Sequence, residues 1–291
     1  MKFNILKASS DCGVHVYGSR FGPNSLISNL KKNIKIKKII NIGFKHYPIK
    51  NFEKNNKYKN LKSINYLNKK LYKESYKTLK NNILPITIGG DHSIAIGSAL
   101  ASIKKYNNLG IIWFDAHGDF NTFETTPSGN IHGLPFAAIC NYEKNFLADY
   151  HNGNFFNPKN AVLVGARDID SPGELENLKD AGVTIFTTSD IQEQGIDVIY
   201  KKAFEIASAG TNGIHISFDI DVIDPSIAPG VSTPAKNGIS LTEAFSFVDY
   251  MIDNKKQIKS IDFVEFNPVN DVENKTKKIA IEILNRIIKN F

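Results

Sequence analysis

Short apolar runs alternate with longer amphipathic segments along most of the chain. Several of the runs carry β-branched residues at successive positions, which is typical of parallel strands covered by helices on both faces. We predict strands at 36–44, 84–89, 109–116, 161–166, 182–187, 213–221 and 259–266.

The segments between the runs show helical periodicity. Apolar residues fall on one face of the segment 59–81 and again on one face near the C-terminus. The residues that define these two faces are Leu61, Ile64, Leu67, Leu71, Ala280, Leu284 and Ile288. The alternation predicts an α/β fold, with a mainly parallel sheet as the middle of three layers in a single domain over residues 1–291.

Composition and the N-terminus bound the class of protein. Hydrophobic residues make up 42% of the 291 positions, enough for a sizeable core. No apolar segment of the signal-peptide type follows Lys2, and no run approaches the ~18 apolar residues that a membrane span needs. Cys12 and Cys140 are the two cysteines and form no metal-binding or disulfide motif. We therefore expect a soluble, cytoplasmic protein.

The chain is basic, with 36 Lys and Arg against 29 Asp and Glu, a formal charge of +7. Much of the excess lies in the Lys/Asn-rich stretches 31–38 and 51–62, which contain no helix-turn-helix or RNA-binding pattern. We interpret these stretches as solvated surface. A non-catalytic nucleic-acid-binding protein remains the alternative that the charge alone would support.

Polar clusters follow the predicted strands. They occupy positions 90–93, 115–121, 166–170, 219–224 and 265–268. Because ligands of parallel α/β sheets bind beyond the carboxyl ends of the strands, these clusters are expected to form one site.

Two of the clusters are rich in carboxylates. On an extended chain, alternate residues point to the same side, so Asp115, His117 and Asp119 are expected to face one way together. Asp219 and Asp221 repeat the arrangement on another strand. Four converging carboxylates repel one another and resist burial, and bound divalent cations relieve both costs.

The number of candidate ligands indicates how many ions bind. The six candidates are His92, Asp115, His117, Asp119, Asp219 and Asp221. A single catalytic zinc typically takes three protein ligands, whereas two ions about 3.5–4 Å apart can share bridging carboxylates. Oxygen-rich ligation with one imidazole per ion favours manganese, so we expect two Mn²⁺ per chain and a shared water that ionises near neutral pH.

Five sequence blocks resemble, in order, the metal- and substrate-binding blocks of the ureohydrolase (arginase/agmatinase) family, and the likeness is greatest to arginase. The blocks are GGDHS (89–93), DAHGDFN (115–121), SGNIHG (128–133), SFDIDVIDP (217–225) and EFNP (265–268). Gly18, Gly22 and Pro23 also have the spacing of the family's N-terminal GxxxGP signature. The resemblance implies an arginase-like fold, a dinuclear manganese site, hydrolytic release of urea and a homo-oligomer, commonly a trimer or hexamer.

The resemblance also implies roles for individual residues. One metal would be held by His92, Asp115, Asp119 and Asp219, and the other by Asp115, His117, Asp219 and Asp221, with Asp115 and Asp219 bridging. The implied catalytic residues are Glu265, which orients the guanidinium group, His132, which carries a proton to the leaving amine, and Asp119.

The substrate expected within the family is L-arginine, hydrolysed to L-ornithine and urea. Residues at the positions where arginases contact the α-carboxylate are Asn121, Thr126, Ser128 and Asn130, and agmatinases lack the SGN sequence found here. Asp170 matches the residue that receives the α-amino group, and Thr233 matches one near the guanidinium group. One residue more than in the arginase pattern, Ser171 or Pro172, precedes Glu174.

Other enzymes remain as alternatives. An agmatinase, a guanidinobutyrase or a formimidoglutamase would share the metals and the chemistry. A deacetylase of the related arginase-like fold generally carries one zinc and lacks the full second set of ligands. The remaining histidines, His15, His46, His151 and His215, match no ligand position, and we expect them to have structural roles.

Overall fold

A computed structural model describes residues 2–31, 35–43, 59–142 and 147–291 of the chain. His46 lies outside the described residues, and so does Phe44, the last residue of the predicted strand 36–44. Parts of both Lys/Asn-rich stretches also lie outside them. Where those stretches are described, Lys37, Lys38 and Lys62 are exposed, as a solvated surface requires.

A single parallel sheet of eight strands forms the centre of the described structure. The strands are β1 (Phe3–Ala8), β2 (Ile36–Asn41), β3 (Leu84–Gly89), β4 (Gly110–Phe114), β5 (Ala161–Ala166), β6 (Thr184–Thr187), β7 (Ile214–Asp219) and β8 (Ile258–Val264). Their order across the sheet is β2-β1-β3-β8-β7-β4-β5-β6.

Helices cover both faces of the sheet. They are α1 (Gly22–Ile27), α2 (Leu61–Lys80), α3 (Ala95–Tyr106), α4 (Pro135–Ile139), α5 (Pro172–Ala181), α6 (Thr188–Gln194), α7 (Ile196–Ser208), α8 (Leu241–Asp253) and α9 (Lys275–Asn290). Helices α2 to α5 pack on one face, and α1 with α6 to α9 packs on the other. The three-layer α/β/α fold with a parallel sheet is therefore confirmed.

Burial of the apolar faces explains why the two periodic segments are helices. Ile64, Leu67 and Leu71 of α2 are buried against the sheet, and Ala280 and Leu284 of α9 are buried on the opposite side. Removing this apolar surface from water stabilises the helices where their own propensity does not suffice. Both predicted helical faces are confirmed.

The strand β1 was not predicted, although it lies in the interior of the sheet between β2 and β3. Its sequence, FNILKA, includes two polar residues that obscure the apolar pattern. The side chain of Asn4 is buried and donates a hydrogen bond to Thr78 Oγ1 at 3.2 Å, and Lys7 Nζ reaches Asn24 Oδ1 at 2.8 Å. Partners distant in sequence thus allow polar residues in an interior strand.

The sheet topology places four strands that end in polar clusters next to one another. In the order β3-β8-β7-β4 they form the middle of the sheet, and β5 follows β4. Their carboxyl ends open onto one edge, where a parallel α/β sheet binds its ligands. Within the described residues no helix is long and apolar enough to cross a membrane. The assignment of residues 1–291 to one domain stays a prediction, with which the continuous sheet agrees.

Candidate metal centre

Short loops at the ends of the four central strands carry the polar side chains of the site. His92 begins a 3-10 helix three residues after β3, and Asp115 directly follows β4. Asp219 is the last residue of β7, and Glu265 directly follows β8. All four side chains are almost completely buried.

The first group of donor atoms surrounds His92. Its Nδ1 atom lies 2.9 Å from Asp115 Oδ2, 3.1 Å from Asp119 Oδ2 and 3.2 Å from Asp219 Oδ2. One imidazole nitrogen and three carboxylate oxygens from three strand ends therefore converge on one point. These are the four residues that the sequence assigned to one metal.

The second group surrounds His117. Its Nδ1 atom lies 3.0 Å from Asp221 Oδ2 and 3.3 Å from Asp115 Oδ1. Asp115 thus turns one carboxylate oxygen toward each histidine, as a residue that bridges two ions must. Asp219 joins the first group directly, and its contact with the second is through its neighbour, since Asp219 Oδ1 accepts a hydrogen bond from the Asp221 backbone N–H at 2.8 Å.

The backbone that brings these residues together differs from the prediction. We expected alternation along extended chain, but β4 ends at Phe114 and Asp119 has a left-handed backbone, with φ of 51°. Asp221 lies in a 3-10 helix. The predicted alternation was wrong because the aspartate side chains bend the chain: Asp115 Oδ1 accepts from the backbone N–H of His117 at 2.7 Å. The aspartate and histidine side chains nevertheless converge, as the sequence predicted.

The donor set fits divalent metal ions. His92 Nδ1 and Asp119 Oδ2 are both buried, and although aspartate oxygens lie within 3.2 Å of the imidazole nitrogen, neither atom makes a hydrogen bond of acceptable geometry among the described residues. Leaving such atoms unpaired costs about 1–3 kcal/mol each. Carboxylate oxygens with imidazole nitrogens are ligands that manganese and similar divalent ions accept, and coordination would satisfy both atoms.

The electrostatics point in the same direction. Burial and the neighbouring Asp115 raise the pKa of Asp119 to about 7, and burial with the charges of Asp221 and Asp115 raises the pKa of Asp219 well above its usual range. Burial lowers the pKa of His92, but the close approach of the Asp115, Asp119 and Asp219 carboxylates more than offsets it and raises the pKa. Without cations the cluster therefore retains protons, which binding of metal would displace.

Two further residues hold the ligands and were not identified from the sequence. The Trp113 indole N–H donates to Asp115 Oδ2 at 3.0 Å, and its ring stacks on His92 with centroids 4.0 Å apart. Ser217 Oγ lies 2.8 Å from His92 Nε2. Each precedes a metal-site aspartate by two positions, at the end of a strand, so the alternation of side chains could have found them.

Glu265 and His132 form a pair beside the first group. Glu265 has a left-handed backbone, with φ of 65°, and its Oε1 accepts from the His92 backbone N–H at 2.8 Å and lies 3.2 Å from His132 Nδ1. Its other oxygen, Oε2, is buried and has no hydrogen-bond partner within the described ranges. Burial lowers the pKa of His132, but its hydrogen bond to Glu265 prevails and raises the pKa to about 9.

A cleft of about 280 Å³ opens onto the cluster. It is lined by His117, Asp119, His132, Gly133, Asp168, Asp170, Glu174, Thr233 and Pro234. Asp168 and Asp170 bring exposed carboxylates to the cleft, which suits a cationic molecule. Asp170 Oδ2 accepts a hydrogen bond from Asn121 Nδ2 at 3.2 Å, which links two of the predicted substrate-binding residues.

The additional residue before Glu174 does not remove that glutamate from the site. Glu174 is buried and accepts from the backbone N–H groups of Phe120, at 2.9 Å, and Asp170, at 2.8 Å. Burial raises its pKa to about 8. Ser171 caps α5, since its Oγ accepts from the Glu174 backbone N–H at 3.1 Å. The turn from Asp170 to Glu174 therefore caps α5 and also forms part of the cleft wall.

The remaining predicted substrate residues lie on the loop before His132. Asn130 Nδ2 is 2.8 Å from His15 Nδ1, and Ser128 Oγ accepts from the Asn130 backbone N–H at 3.2 Å. Thr126 Oγ1 accepts from the Gly129 backbone N–H at 3.1 Å. These contacts shape the loop, while Ser128 and Asn130 are not among the residues that line the cleft.

Two of the other histidines have contacts typical of structural residues. His215 is fully buried in β7, with Nε2 3.0 Å from Asp262 Oδ2 and Nδ1 3.1 Å from Ser102 Oγ. His151 Nε2 lies 2.9 Å from the Asn154 carbonyl oxygen.

A parallel α/β sheet with a His/Asp cluster at its carboxyl edge, beside a cleft with exposed carboxylates, is the arrangement expected of a metal-dependent hydrolase of the α/β class. Residues 1–289 match the family model described as the arginase family. The chain therefore belongs to the arginase family, and it is a hydrolase that acts on amidino carbon–nitrogen bonds.

Individual relatives agree with the family match. The chain is 38% identical to an arginase of Staphylococcus aureus over 97% of its own length and 95% of that protein. The structure of Bacillus caldovelox arginase superposes with a TM-score of 0.91 at 31% identity, and each chain is at least 98% covered. Entamoeba histolytica arginase in complex with L-ornithine superposes with a TM-score of 0.88 at 32% identity, with 99% of each chain covered. A formimidoylglutamase of Bacillus subtilis, 21% identical, shares the fold alone.

Proposed function

We propose that the chain hydrolyses L-arginine to L-ornithine and urea at a pair of Mn²⁺ ions. The observation that carries the proposal is the position of Glu265, whose Oε2 atom is buried without a hydrogen-bond partner in the described structure while its Oε1 contacts His92 and His132. A guanidinium group offers the rigid N–H donors that such a carboxylate oxygen requires.

The proposed ions would be held by the two donor groups around His92 and His117, with Asp115 shared between them. When bound, a divalent pair lowers the pKa of a water that it shares to about 7, which makes a hydroxide nucleophile available at neutral pH. Oxygen-rich ligation with one imidazole in each group is the basis for proposing manganese.

The residues of the chain would then bind and orient the substrate. Glu265 would accept hydrogen bonds from the guanidinium group and fix its central carbon over the cluster. The exposed carboxylates of Asp168 and Asp170 in the cleft would favour a cationic substrate over a neutral one. Holding the carbon in this geometry converts the attack into an effectively unimolecular step.

His132 would supply a proton to the leaving group. An amine leaves a carbon centre poorly unless it is protonated, and an imidazole within the cleft is suited to that transfer. Burial lowers the pKa of His132, but the hydrogen bond to Glu265 raises it to about 9, which favours the protonated form that a proton donor requires. Its 3.2 Å contact with Glu265 supports a role next to the proposed guanidinium site.

The support for arginine over other guanidines comes from the distal end of the cleft. Asp170, held by Asn121 on the cleft wall, would receive the α-amino group. The family resemblance assigns Ser128 and Asn130 to the α-carboxylate, and their loop, which does not line the cleft here, would turn toward it when substrate binds. Relatives named arginase match nearly the whole chain, and one of them is in complex with L-ornithine. Thr233, on the cleft wall, would lie near the guanidinium group.

A urea-release screen tests the proposal. Metal-depleted protein would be assayed for urea with L-arginine, agmatine and guanidinobutyrate, and for formamide with formimidoglutamate, with and without added Mn²⁺. We expect manganese-dependent urea release that is fastest with L-arginine. Faster turnover of agmatine, guanidinobutyrate or formimidoglutamate would assign the chain to another activity of the same family.

The presence of both donor groups argues against the remaining alternatives. His92, Asp119 and Asp221 belong to the full second set of ligands that a one-zinc deacetylase of related fold generally lacks. One tightly bound zinc per chain would favour that enzyme, and salt-sensitive DNA binding without urea release would favour a nucleic-acid-binding protein. A cytoplasmic location and assembly into a trimer or hexamer stay predictions of the sequence.

A further inference from the structure

Arg167 follows β5 and lies half-buried behind the second donor group. Its guanidinium group hydrogen-bonds to backbone carbonyl oxygens in three separate segments of the chain. The contacts are Nε to Ala235 at 3.3 Å and Lys236 at 3.1 Å, Nη1 to Gly165 at 3.2 Å and Val222 at 3.0 Å, and Nη2 to Asp221 at 2.7 Å and Ala235 at 2.9 Å.

These contacts use every nitrogen of the guanidinium group. Arginine has five N–H donors in a fixed plane, so its bonds can set the relative positions of several acceptors at once. Each of the hydrogen bonds ends on a backbone carbonyl. The side chain therefore fixes chain segments, and it does so with its donors already occupied before any ligand arrives.

Two of the fixed segments belong to the functional site. The carbonyl of Asp221 is held by Nη2, while the carboxylate of the same residue faces His117 Nδ1 at 3.0 Å. The carbonyl of Ala235 is also held by Nη2, directly after Thr233 and Pro234 on the cleft wall. One planar group thus spans the second donor group and the wall of the cleft.

The other contact of the Asp221 carboxylate is with the chain that carries His117. Asp221 Oδ1 accepts from the Ala116 backbone N–H at 3.2 Å. Ala116 in turn accepts through its carbonyl from the backbone N–H of Arg167, at 2.9 Å. Arg167 is therefore connected to two parts of the second group, to Asp221 through its side chain and to the chain next to His117 through its backbone.

We propose that Arg167 is a positioning residue that sets the geometry of the His117–Asp221 metal group and couples it to the cleft wall at Thr233. The inference rests on the two-ion site of the proposed function. It assigns Arg167 no contact with substrate or with the reacting atoms. The proposal predicts that removal of the guanidinium group weakens metal binding selectively at one of the two positions.

Arg167→Met and Arg167→Lys test the proposal. Methionine keeps the apolar stem and removes all donors, whereas lysine keeps the positive charge but cannot reach three segments from one ammonium group. Because residues that orient metal ligands typically contribute 10–100-fold to metal affinity, we expect weaker binding of one Mn²⁺ by about that factor in both variants. The Arg286→Met variant is the matched control, since Arg286 pairs with Asp249 on the exposed surface.

Metal content per folded chain, measured at a Mn²⁺ concentration that just saturates the wild type, is the primary readout. We expect two ions per chain in the wild type and in Arg286→Met, and about one in the Arg167 variants. In the Arg167 variants the electron paramagnetic resonance spectrum should change from that of a coupled pair of ions to that of an isolated ion. A rise in the KM for L-arginine should accompany the loss, because the wall at Thr233 moves with the metal group.

A merely structural role would lower the melting temperature and leave the two manganese dissociation constants and the KM unchanged. A lower melting temperature with unchanged manganese binding and KM in folded Arg167→Lys protein would overturn the proposal. If Arg167→Met does not fold, the milder Arg167→Lys variant still provides the test. Restoration of wild-type binding by lysine would overturn it as well, since charge alone would then suffice. A wild type that binds a single ion would instead contradict the two-ion function, so the two failures are distinguishable.

Discussion

The imidazole Nδ1 of His132 lies 3.2 Å from Oε1 of Glu265, and this contact joins the group proposed to donate a proton to the group proposed to hold the substrate. The other oxygen of Glu265 remains unpaired within the described structure. The carboxylate can therefore bind a substrate cation on one side while it keeps the histidine protonated on the other.

Replacement of His132 by asparagine should slow turnover and leave the metals bound. The side chain contacts Glu265 and belongs to neither donor group, so its loss removes proton transfer alone. We expect kcat for urea release to fall by about 100-fold or more, within the range of general acid–base catalysis. His151→Asn is the matched control, and loss of metal from His132→Asn would show that the role is misassigned.

Replacement of Glu265 by glutamine should weaken substrate binding in both ground and transition states. The amide oxygen can still accept from the His92 backbone N–H, so the cluster should keep its shape. A lost charge-assisted hydrogen bond costs about 1.5–3 kcal/mol, and we expect kcat/KM for L-arginine to fall by about 100-fold. Asp249→Asn, on the surface of α8, should have no such effect. An unchanged kcat/KM would contradict the proposed contact.

Two substitutions should separate recognition of the amino and carboxylate ends of arginine. Asp170→Asn should lower kcat/KM for L-arginine and agmatine, which both carry an amine, and change that for guanidinobutyrate little. Asn130→Ala should lower the value for L-arginine and spare agmatine, which has no carboxylate. Each loss should be at least about tenfold, since a hydrogen bond to a charged group contributes about 1.5–3 kcal/mol. Equal effects on all three substrates would refute the assignment.

Removal of the metal should make stability depend on pH near neutrality. In the folded chain the pKa of Asp119 is raised to about 7, and those of Asp219, His92 and His117 are also raised. A raised folded pKa gives stability at low pH that is lost as the pH rises through the folded pKa. We expect the metal-free protein to melt several °C lower at pH 8 than at pH 6. Saturating Mn²⁺ should abolish most of that difference, and a metal-free protein that is more stable at pH 8 would contradict the sign.

Most of the fold could be predicted from the sequence because both faces of the sheet are buried. Apolar runs such as 84–89 and 161–166 become strands with the same bounds in the structure. The strand Phe3–Ala8 was missed because Asn4 and Lys7 interrupt its pattern, and their partners, Thr78 and Asn24, are fixed only by the fold.

The chemistry of the site could be predicted further than its geometry. The rule that ligands gather at strand ends pointed to His92 and the aspartates, which the structure brings together. The left-handed backbone at Asp119 and the 3-10 turn at Asp221 have no comparable signal. Arg167 acts on backbone carbonyls more than 50 positions away along the chain, and carbonyl groups leave no signature in a sequence.

Anomalous diffraction at the manganese edge, from crystals grown with Mn²⁺, tests the account most directly. We predict two peaks about 3.5–4 Å apart, one against His92 and one against His117, with Asp115 between them. A single peak, or none within reach of these residues, would contradict the dinuclear site on which the proposed reaction depends.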